Sequence, residues 1–328
     1  MPPDPPSAAD AALPRIEPML ATPGPLPSEA VEDRWAFEVK QDGQRAMVYL
    51  PGNGTILVRA RSGTDITAAY PELLPLAGVL GARSAVLDGE IVALDDQGRS
   101  DFERLQQRMG LAGAPAKAGH MAALTPVHLM CFDVVLLDGR LLTGLPYAER
   151  RSLLEGIGLA GPAWSTPAGI TGHGAQAWEM VRDAGLEGLI AKRLTSRYEP
   201  GARSKNWVKV KVHRFADVVI GGWVPGRGRL TGLPGAVLVS ERRDGLLHYA
   251  GSVGTGWSQA ERTRLAELLQ AVATDTCPFT HLPPVAGARW VLPRLVGEVR
   301  YTSRTRAGRL RHPSWHRLRL DLTLDDLA

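Results

Sequence analysis

Period-two alternation of apolar residues recurs along most of this chain, and it limits the fold more than any other feature. Strand patterns of this kind lie at 35–40, 45–50, 56–60, 85–94, 127–137, 187–192 and 206–212. Helical patterns are fewer, and they lie near 71–80, 101–109, 146–155 and 174–185. Because single helices so rarely separate the strands, a regular parallel βαβ array is disfavoured. We predict an antiparallel-rich α+β domain.

The pattern changes near residues 212–216. Strand patterns then follow at 216–224, 235–241, 246–253, 294–301 and 315–320, with one helical pattern near 258–270. Five strands and one helix fit a small Greek-key barrel of the OB type, although a two-sheet sandwich stays open because strand number does not fix closure. With 328 residues the chain can bury two cores. We expect a disordered Pro- and Ala-rich leader over 1–14, a first domain over 15–212 and a barrel domain over 213–328.

Lysine is scarce in this chain, and Lys40 lies in a patterned strand. Of 38 basic residues, only six are lysines. A lysine amine can lose its proton and act as a nucleophile, whereas an arginine guanidinium cannot. Alternation places Glu38 and Lys40 together on one face of the strand. Asp42-Gly43 then predicts a turn into the apolar run at 45–50, hence a β-hairpin, for which an ordinary edge hairpin with solvated charges is the alternative.

Acidic residues interrupt two strands that otherwise have the pattern of core strands. Asp88 and Glu90 share one face of their strand. They are suited to hold Mg²⁺ or a ribose hydroxyl, or they form a solvated strand face. Asp133 lies inside an apolar run, where an acid needs a partner, either a cation or the backbone.

A third acid and a pair of lysines come later in the first domain. Glu187 leads into a buried strand. Lys209 and Lys211 share one face of the strand at 206–212, and the alternating Val208, Val210 and Val212 share the other. Two like charges on one strand face repel, so an anion between them is expected, with a solvated edge strand as the alternative.

Charge and cysteine content narrow the function classes. Residues 289–319 contain nine Arg and one Glu, which favours a polyanionic partner over a membrane, or else a solvated Arg-rich surface. No apolar stretch approaches membrane-spanning length. Cys131 and Cys277 are far apart in sequence, so a reduced cytoplasmic protein is the simplest interpretation.

In chain order, the motifs resemble the series found in the covalent nucleotidyltransferases, which are DNA ligases, RNA ligases and mRNA capping enzymes. They read Lys-x-Asp-Gly-x-Arg from residue 40, Asp-Gly-Glu from 88, Phe-Asp from 132, Glu-Gly-Leu-Ile-Ala-Lys from 187 and Lys-x-Lys from 209. The segments 298–301 and 310–319 are most similar to the ATP-dependent DNA ligase domains of bacteria, including those that act in end joining. The resemblance covers about residues 15–325. It implies an ATP-grasp-like nucleotidyltransferase domain followed by an OB-fold domain.

By this resemblance, Lys40 attacks the α-phosphate of ATP and forms lysyl-AMP. The AMP then passes to the 5′-phosphate of a DNA break, and the 3′-hydroxyl displaces it to seal the strand. The attack requires a neutral amine, which the cations Lys209 and Lys211 and a bound metal would favour.

The resemblance also implies roles for the residues that bind the nucleoside. Glu38 meets the adenine amino group, Phe132 stacks on the adenine ring, and Arg45 and Glu90 hold the ribose. Lys192 is left out, because strict alternation puts it on the face opposite Glu187.

Phosphate and metal roles follow in the same way. Glu187, with Glu90, binds Mg²⁺ or Mn²⁺, and Lys209 with Lys211 binds the α-phosphate. Arg61 contacts phosphate at or near the nick. In the barrel domain, Arg311 and Arg317 lie in the segment that orients pyrophosphate.

The resemblance implies a monomeric ATP-dependent DNA ligase that acts in repair, in the cytoplasm and on the bacterial nucleoid. Its substrate would be nicked or broken duplex DNA. A chain of this length leaves no room for added modules, so we expect the DNA to be held either by the two domains themselves or by a partner such as a DNA end-binding protein. Two alternatives stay open at this point: an RNA ligase or GTP-dependent capping enzyme, and a nucleic-acid-binding module with a vestigial site.

Overall fold

The computed structural model describes residues 13–327, and the chain divides into two compact units, one up to Lys211 and one from Val212. This division falls one residue before the expected end of the first domain. Residues 1–12, most of the expected leader, lie outside the described residues. No helix within 13–327 has both the length and the apolar composition needed to cross a membrane.

Strands dominate the first unit, and we number them β1 to β11 in chain order. They are Leu20–Pro23, Trp35–Val39, Gln44–Leu50, Leu57–Ala60, Ala85–Ala93, Val127–Leu137, Arg140–Leu141, Trp164–Ser165, Gly169–Thr171, Gly188–Arg193 and Arg203–Lys211. The α-helices α1 to α4 are Phe102–Gln106, Pro115–Leu124, Tyr147–Ile157 and Gly174–Asp183. The strands expected from alternation are confirmed to within a few residues. Helix α2 has no counterpart in the sequence prediction.

Short 3-10 helices supplement the α-helices of this unit. They are Glu29–Arg34, Thr67–Ala69, Pro71–Gly78 and Leu111–Gly113. The helical pattern near 71–80 thus forms a 3-10 helix that contains Pro75. Proline has no amide hydrogen and its ring blocks the α-helical bond, so the tighter helix is the one this segment can form.

Two sheets form the first unit. One has the strand order β1-β11-β10-β2-β9, and the other has the order β4-β3-β5-β6-β7 with β8 beside β6. Only β1 with β11 and β6 with β8 pair in parallel among the described strands. The expected antiparallel-rich α+β class is therefore confirmed.

Strand β3 shows why the two sheets pack together. Its residues Ala46, Val48 and Leu50 belong to one hydrophobic cluster, which includes residues of the helical segments. Its alternate residues Met47 and Tyr49 belong to a second cluster, which also contains Trp207 of the other sheet. Because β3 is buried on both faces, it packs against the helical layer on one side and the second sheet on the other. Burial of each large apolar side chain stabilises the fold by about 1.5–3 kcal/mol.

The hairpin expected at Asp42-Gly43 is wrong, because β2 and β3 belong to different sheets. Strand β2 pairs with β10 and β9, whereas β3 pairs with β4 and β5. The chain crosses from one sheet to the other through residues 40–43. A Cβ atom at Gly43 would lie 2.2 Å from the carbonyl oxygen of Ile91, so the glycine permits a close approach of two backbones.

The second unit continues the numbering with strands β12 to β19 and helix α5. The strands are Arg214–Pro225, Pro234–Arg243, Leu246–Val253, Ala273–Thr274, Arg289–Tyr301, Ser303–Arg304, Leu310–Arg311 and Ser314–Leu318. The helix is Gln259–Ala271, and 3-10 helices lie at Gly228–Leu230 and Leu324–Asp326. The main sheet has the order β14-β13-β12-β16-β15, with β19 beside β16, and β17 pairs with β18.

Helix α5 begins at a capping box that the sequence contains in full. The Ser258 hydroxyl accepts a hydrogen bond from the Glu261 amide, and the Glu261 carboxylate accepts one from the Ser258 amide. Leu265 and Leu269 of the helix pack in one core with Trp315 of β19. The expected barrel elements are thus present and share one hydrophobic core.

Candidate nucleotide-binding and adenylation site

A cleft of about 200 Å³, partly open to solvent, lies in the first unit and is lined by residues from both of its sheets. Many of the residues predicted from sequence line it, namely Glu38, Lys40, Arg45, Arg61, Glu90, Phe132 and Lys209. Lys192, Arg203, Trp207 and Ile190 line it as well. Side chains from β2, β3, β5, β6, β10 and β11 therefore meet in one place, although their positions span 170 residues of sequence.

Lys40 follows directly after β2 and is held at its backbone and at its side chain. Its amide donates to the Gly188 carbonyl at 2.9 Å. Its ammonium lies 2.5 Å from a carboxylate oxygen of Glu187, and Lys211 lies 2.8 Å from the other oxygen. Burial tends to raise the pKa of Glu187, but Lys40 and Lys211 outweigh it and hold that pKa below its ordinary value. Glu187 is therefore ionised and shared between the two lysines.

Glu38 lies in β2, two residues before Lys40, and is buried. Its carboxylate is 2.8 Å from the ammonium of Lys192 and accepts a hydrogen bond from the Tyr147 hydroxyl. The Arg151 guanidinium is 3.6 Å away. Burial lowers the pKa of Lys192, although Glu38 opposes that shift. A buried carboxylate with this many donors has a fixed orientation.

Lys192 is the main cleft residue that sequence reasoning excluded. Its ammonium lies 4.4 Å from the ring centre of Phe132 and 4.5 Å from that of Trp207. The prediction failed because it assigned alternating strand faces from Glu187 onward. Glu187 lies before β10, and the strand alternation begins only at Gly188. The scarcity of lysine, which drew attention to Lys40, applies equally to Lys192 and could have identified it.

Arg45 is fixed from one side by Asp88. The Asp88 carboxylate is fully buried and accepts two hydrogen bonds from Arg45, both at 2.6 Å, and a third from the Tyr198 hydroxyl at 2.6 Å. The guanidinium carbon lies 4.5 Å from the ring centre of Phe132. Asp88 is therefore neither part of a solvated strand face nor available to a metal. It positions Arg45.

Asp133 has the partner that its burial requires. It forms a two-pronged ion pair with Arg150 of α3, with both bonds at 2.8 Å, and both side chains are fully buried. Burial raises the pKa of Asp133, and Arg150 opposes that rise. This pair joins β6 to α3 directly behind Phe132.

Positive charge accumulates where a phosphate chain would lie. Burial lowers the pKa of Lys209, and the nearby charges of Arg203, Lys211, Lys40 and Arg61 lower it further. Cations that destabilise one another in this way are stabilised by a bound anion.

The donor set fits a magnesium ion that arrives with the nucleotide. Within the described part of the chain, no three His, Cys, Asp or Glu side chains are grouped to hold a metal ion by themselves. Burial raises the pKa of Glu90 to about 7, Arg45 and Lys40 lower it, and the negative charge of Glu187 raises it. Two carboxylates that interact electrostatically, next to a cluster of cations, match the way Mg²⁺ is bound by one or two carboxylates together with substrate phosphates.

The two predicted barrel residues lie in the second unit. Arg311 is in β18, and Arg317 of β19 is 3.0 Å from Glu298. The neighbouring Arg319 is 2.7 Å from both Asp217 and Asp321. Arg317 and Arg319 are thus held by carboxylates of their own unit.

Family models match both units of the chain. Residues 18–211 match the model described as ATP dependent DNA ligase domain, and residues 231–322 match the one described as ATP dependent DNA ligase C terminal region. Among curated proteins, the multifunctional non-homologous end joining protein LigD of Mycolicibacterium smegmatis is 40% identical over 95% of this chain and 39% of its own length. LigD of Mycobacterium tuberculosis is 42% identical over 93% of this chain and also 39% of its own length. The chain therefore spans about two fifths of these relatives.

Solved structures of DNA ligases are similar to this chain as well. The crystal structure of the ligase domain of M. tuberculosis LigD has a TM-score of 0.56 and 40% identity, and the similarity covers 95% of this chain and 98% of that one. A mycobacterial DNA ligase D complexed with ATP has a TM-score of 0.56 and 41% identity, with the same coverage. A Lig E DNA ligase, at 20% identity and a TM-score of 0.58, shares the fold. The nucleotidyltransferase domain followed by an OB-fold domain is thereby confirmed.

Proposed function

The chain belongs to the ATP-dependent DNA ligase family, and on that premise we propose that it seals nicks and breaks in duplex DNA during bacterial end joining. One observation carries the proposal: the ammonium of Lys40 is paired with the Glu187 carboxylate and lines a cleft together with other cations, an aromatic ring and a buried acid. That arrangement provides a nucleophile, a phosphate site and a base site in one cavity.

In the first step, Lys40 gives up a proton to water and its nitrogen attacks the α-phosphorus of ATP. A nitrogen–phosphorus bond forms, the bond to pyrophosphate breaks, and lysyl-AMP remains. Glu187 must release Lys40 before the attack, since an amine paired with a carboxylate stays protonated. We propose that Lys209 and Lys211 then hold the α-phosphate.

The nucleoside roles follow from the geometry of the cleft. Phe132 stacks on adenine and Glu38 accepts its amino group. Asp88 engages Nε and Nη2 of Arg45, so Nη1 remains for the ribose, together with Glu90. We also assign Arg311 and Arg317 of the second unit to the pyrophosphate.

Mg²⁺ would be held by Glu187 and Glu90 with the phosphates, and it would neutralise the charge that develops on them. In the later steps, the lysyl–phosphorus bond breaks as the DNA 5′-phosphate takes the AMP. The 3′-hydroxyl then attacks that phosphate, and AMP leaves as the phosphodiester forms. Arg61 contacts phosphate at the nick.

The setting of this reaction is inferred from the relatives. The curated relatives are named as non-homologous end joining proteins. We propose the same pathway for this chain, acting as a monomer in the bacterial cytoplasm on nucleoid DNA, with a DNA end-binding protein as a partner.

Substitution of the nucleophile tests the proposal. The protein is incubated with Mg²⁺ and ATP labelled at the α-phosphate, and the products are separated on a denaturing gel. We expect a labelled band for the wild type and none for Lys40→Ala, because this substitution removes the proposed nucleophile. Lys117→Ala removes an exposed lysine of α2 and should give the wild-type band.

Matched substrates then decide between the related functions. Labelled GTP in place of ATP tests the capping alternative, and nicked RNA in place of nicked DNA tests the RNA ligase alternative. A labelled band with GTP only, or sealing of RNA only, would refute the DNA ligase proposal. The absence of a labelled band with either nucleotide would refute the enzyme proposal and favour the alternative of a nucleic-acid-binding module with a vestigial site.

A further inference from the structure

Three arginines meet in a hollow beside the nucleotide cleft. Arg59 belongs to β4 and Arg61 follows that strand. Arg15 lies in the segment before β1, residues 13–19, which we call the N-terminal arm. The three arginines line a shallow depression of about 30 Å³, which we call the arginine hollow. Arg61 also lines the cleft that contains Lys40, so the hollow and the cleft adjoin.

The arm that carries Arg15 is anchored to the first unit. The Tyr49 hydroxyl accepts a hydrogen bond from the Ile16 amide and donates one to the Ile16 carbonyl, both at 3.1 Å. The Met19 amide donates to the Tyr198 hydroxyl at 3.0 Å. Ile16 and Met19 are buried, whereas Arg15 is exposed. A charge on an anchored backbone loses less entropy on binding than a charge on a loose one.

The turn after β4 is shaped around this arginine. Gly63 has a φ of +84°, and a Cβ atom built on it would lie 2.0 Å from Nη2 of Arg15. The Arg15 guanidinium therefore occupies the space that any side chain at position 63 would need. Arg59 donates to the Gly63 carbonyl at 2.8 Å. Both guanidinium groups are thus in contact with one turn.

These three charges outnumber the acidic groups around them. Within residues 13–327, no ion pair joins Arg15, Arg59 or Arg61 to a carboxylate, and Glu17 is the acidic residue that lines the hollow with them. An excess of cations over carboxylates on one face raises the local concentration of polyanions, and the cations are stabilised when a polyanion binds.

We infer that the arginine hollow is a second phosphate-binding site, in which Arg15 and Arg59 contact the DNA backbone phosphates that flank the nick. This inference rests on the proposed function, because it takes the strand bound at Arg61 to be DNA. Contacts of this kind fix the position of the duplex without reading its sequence. The β- and γ-phosphates of ATP are the competing occupant.

The test measures binding of the full chain to a nicked duplex over a range of salt concentrations, from about 50 to 200 mM. Arg15→Ala should reduce the slope of log affinity against log salt by about 0.9, as expected for the loss of one phosphate contact. Arg15→Lys keeps the charge and should keep the slope. Arg140→Ala removes an exposed arginine of β7 and serves as the matched control.

Three outcomes would overturn the inference or separate it from the proposed function. An unchanged slope in Arg15→Ala would overturn it. A loss of self-adenylation from ATP as large as the loss of DNA binding would assign the hollow to ATP. Failure of the wild type to seal the nick would refute the proposed function itself. If Arg15→Ala does not fold, Arg15→Gln removes the charge and keeps most of the side chain.

Discussion

Single residues in the cleft are held by partners that lie far away in sequence. Glu38 is the clearest case, since its carboxylate meets Lys192, Tyr147 and Arg151. Alternation predicted that Glu38 and Lys40 share a face, but it did not show which residues contact them. The two acids next to Lys40 differ in kind: Glu187 is held ionised by two lysines, whereas burial keeps Glu90 close to half-protonated near neutral pH.

Replacing Lys192 by Met should destabilise the protein by about 3–5 kcal/mol, because it leaves Glu38 buried without its main cation. The thermal unfolding temperature should fall, and the KM for ATP in self-adenylation should rise. Lys117→Met is the exposed control. The double variant Glu38→Gln with Lys192→Met should be more stable than Lys192→Met alone, and equal stability would show that the pair is not coupled.

Glu90 makes the stability of the nucleotide-free protein depend on pH. Its pKa is about 7 in the folded protein and 4.5 in the unfolded chain, so the folded state binds the proton more tightly. Stability is therefore lost as pH rises from 4.5 through 7, and Glu90→Gln should remove this loss. At pH 8 we expect Glu90→Gln to be more stable than the wild type by about 1–3 kcal/mol, with little difference at pH 4.5. Thermal unfolding at both pH values measures this, and equal stability at pH 8 would contradict it.

At the scale of elements, the site depends on which strands become neighbours. Strand β2 lies between β10 and β9, which brings the backbone of Lys40 to the start of β10. Helix α3 is tied to β6 by the pair Asp133–Arg150, and the same helix carries Tyr147 and Arg151 to Glu38. One helix thus supports the wall of the cleft and orients its buried acid.

Removing one partner of that pair should be costly. Arg150→Met leaves the Asp133 charge buried and unpaired, for which we expect a loss of about 3–5 kcal/mol. Chemical denaturation measures the change. The double variant Asp133→Leu with Arg150→Met should recover most of the loss, because no buried charge remains. A double variant as unstable as Arg150→Met would show that packing, and not charge, sets the cost.

At the scale of the whole molecule, each unit has its own hydrophobic core. The first contains two clusters that share β3, and the second contains the cluster around α5 and Trp315. The nucleotide cleft lies wholly in the first unit, while the assigned pyrophosphate residues Arg311 and Arg317 lie in the second. The first unit should therefore fold without the second, whereas full adenylation activity should require both units.

Residues 13–211 expressed alone should fold, as shown by a cooperative thermal transition in circular dichroism, because their core needs no residue of the second unit. Self-adenylation from ATP should fall by at least about tenfold, since the assigned pyrophosphate contacts are missing. The full chain with Arg311→Ala and Arg317→Ala should show a similar loss. Full activity of the fragment would contradict the roles of both arginines.

By itself, the sequence determined the α+β class, the positions of the strands and the order of the motifs, because alternation and turn residues are local properties of the chain. It also identified Lys40 through the scarcity of lysine. Only the tertiary structure decided that β2 and β3 part into two sheets, that Lys192 enters the cleft and that Arg15 rests on Gly63. These contacts join residues up to about 155 positions apart, and local patterns contain no information on which strands pair or which surfaces pack.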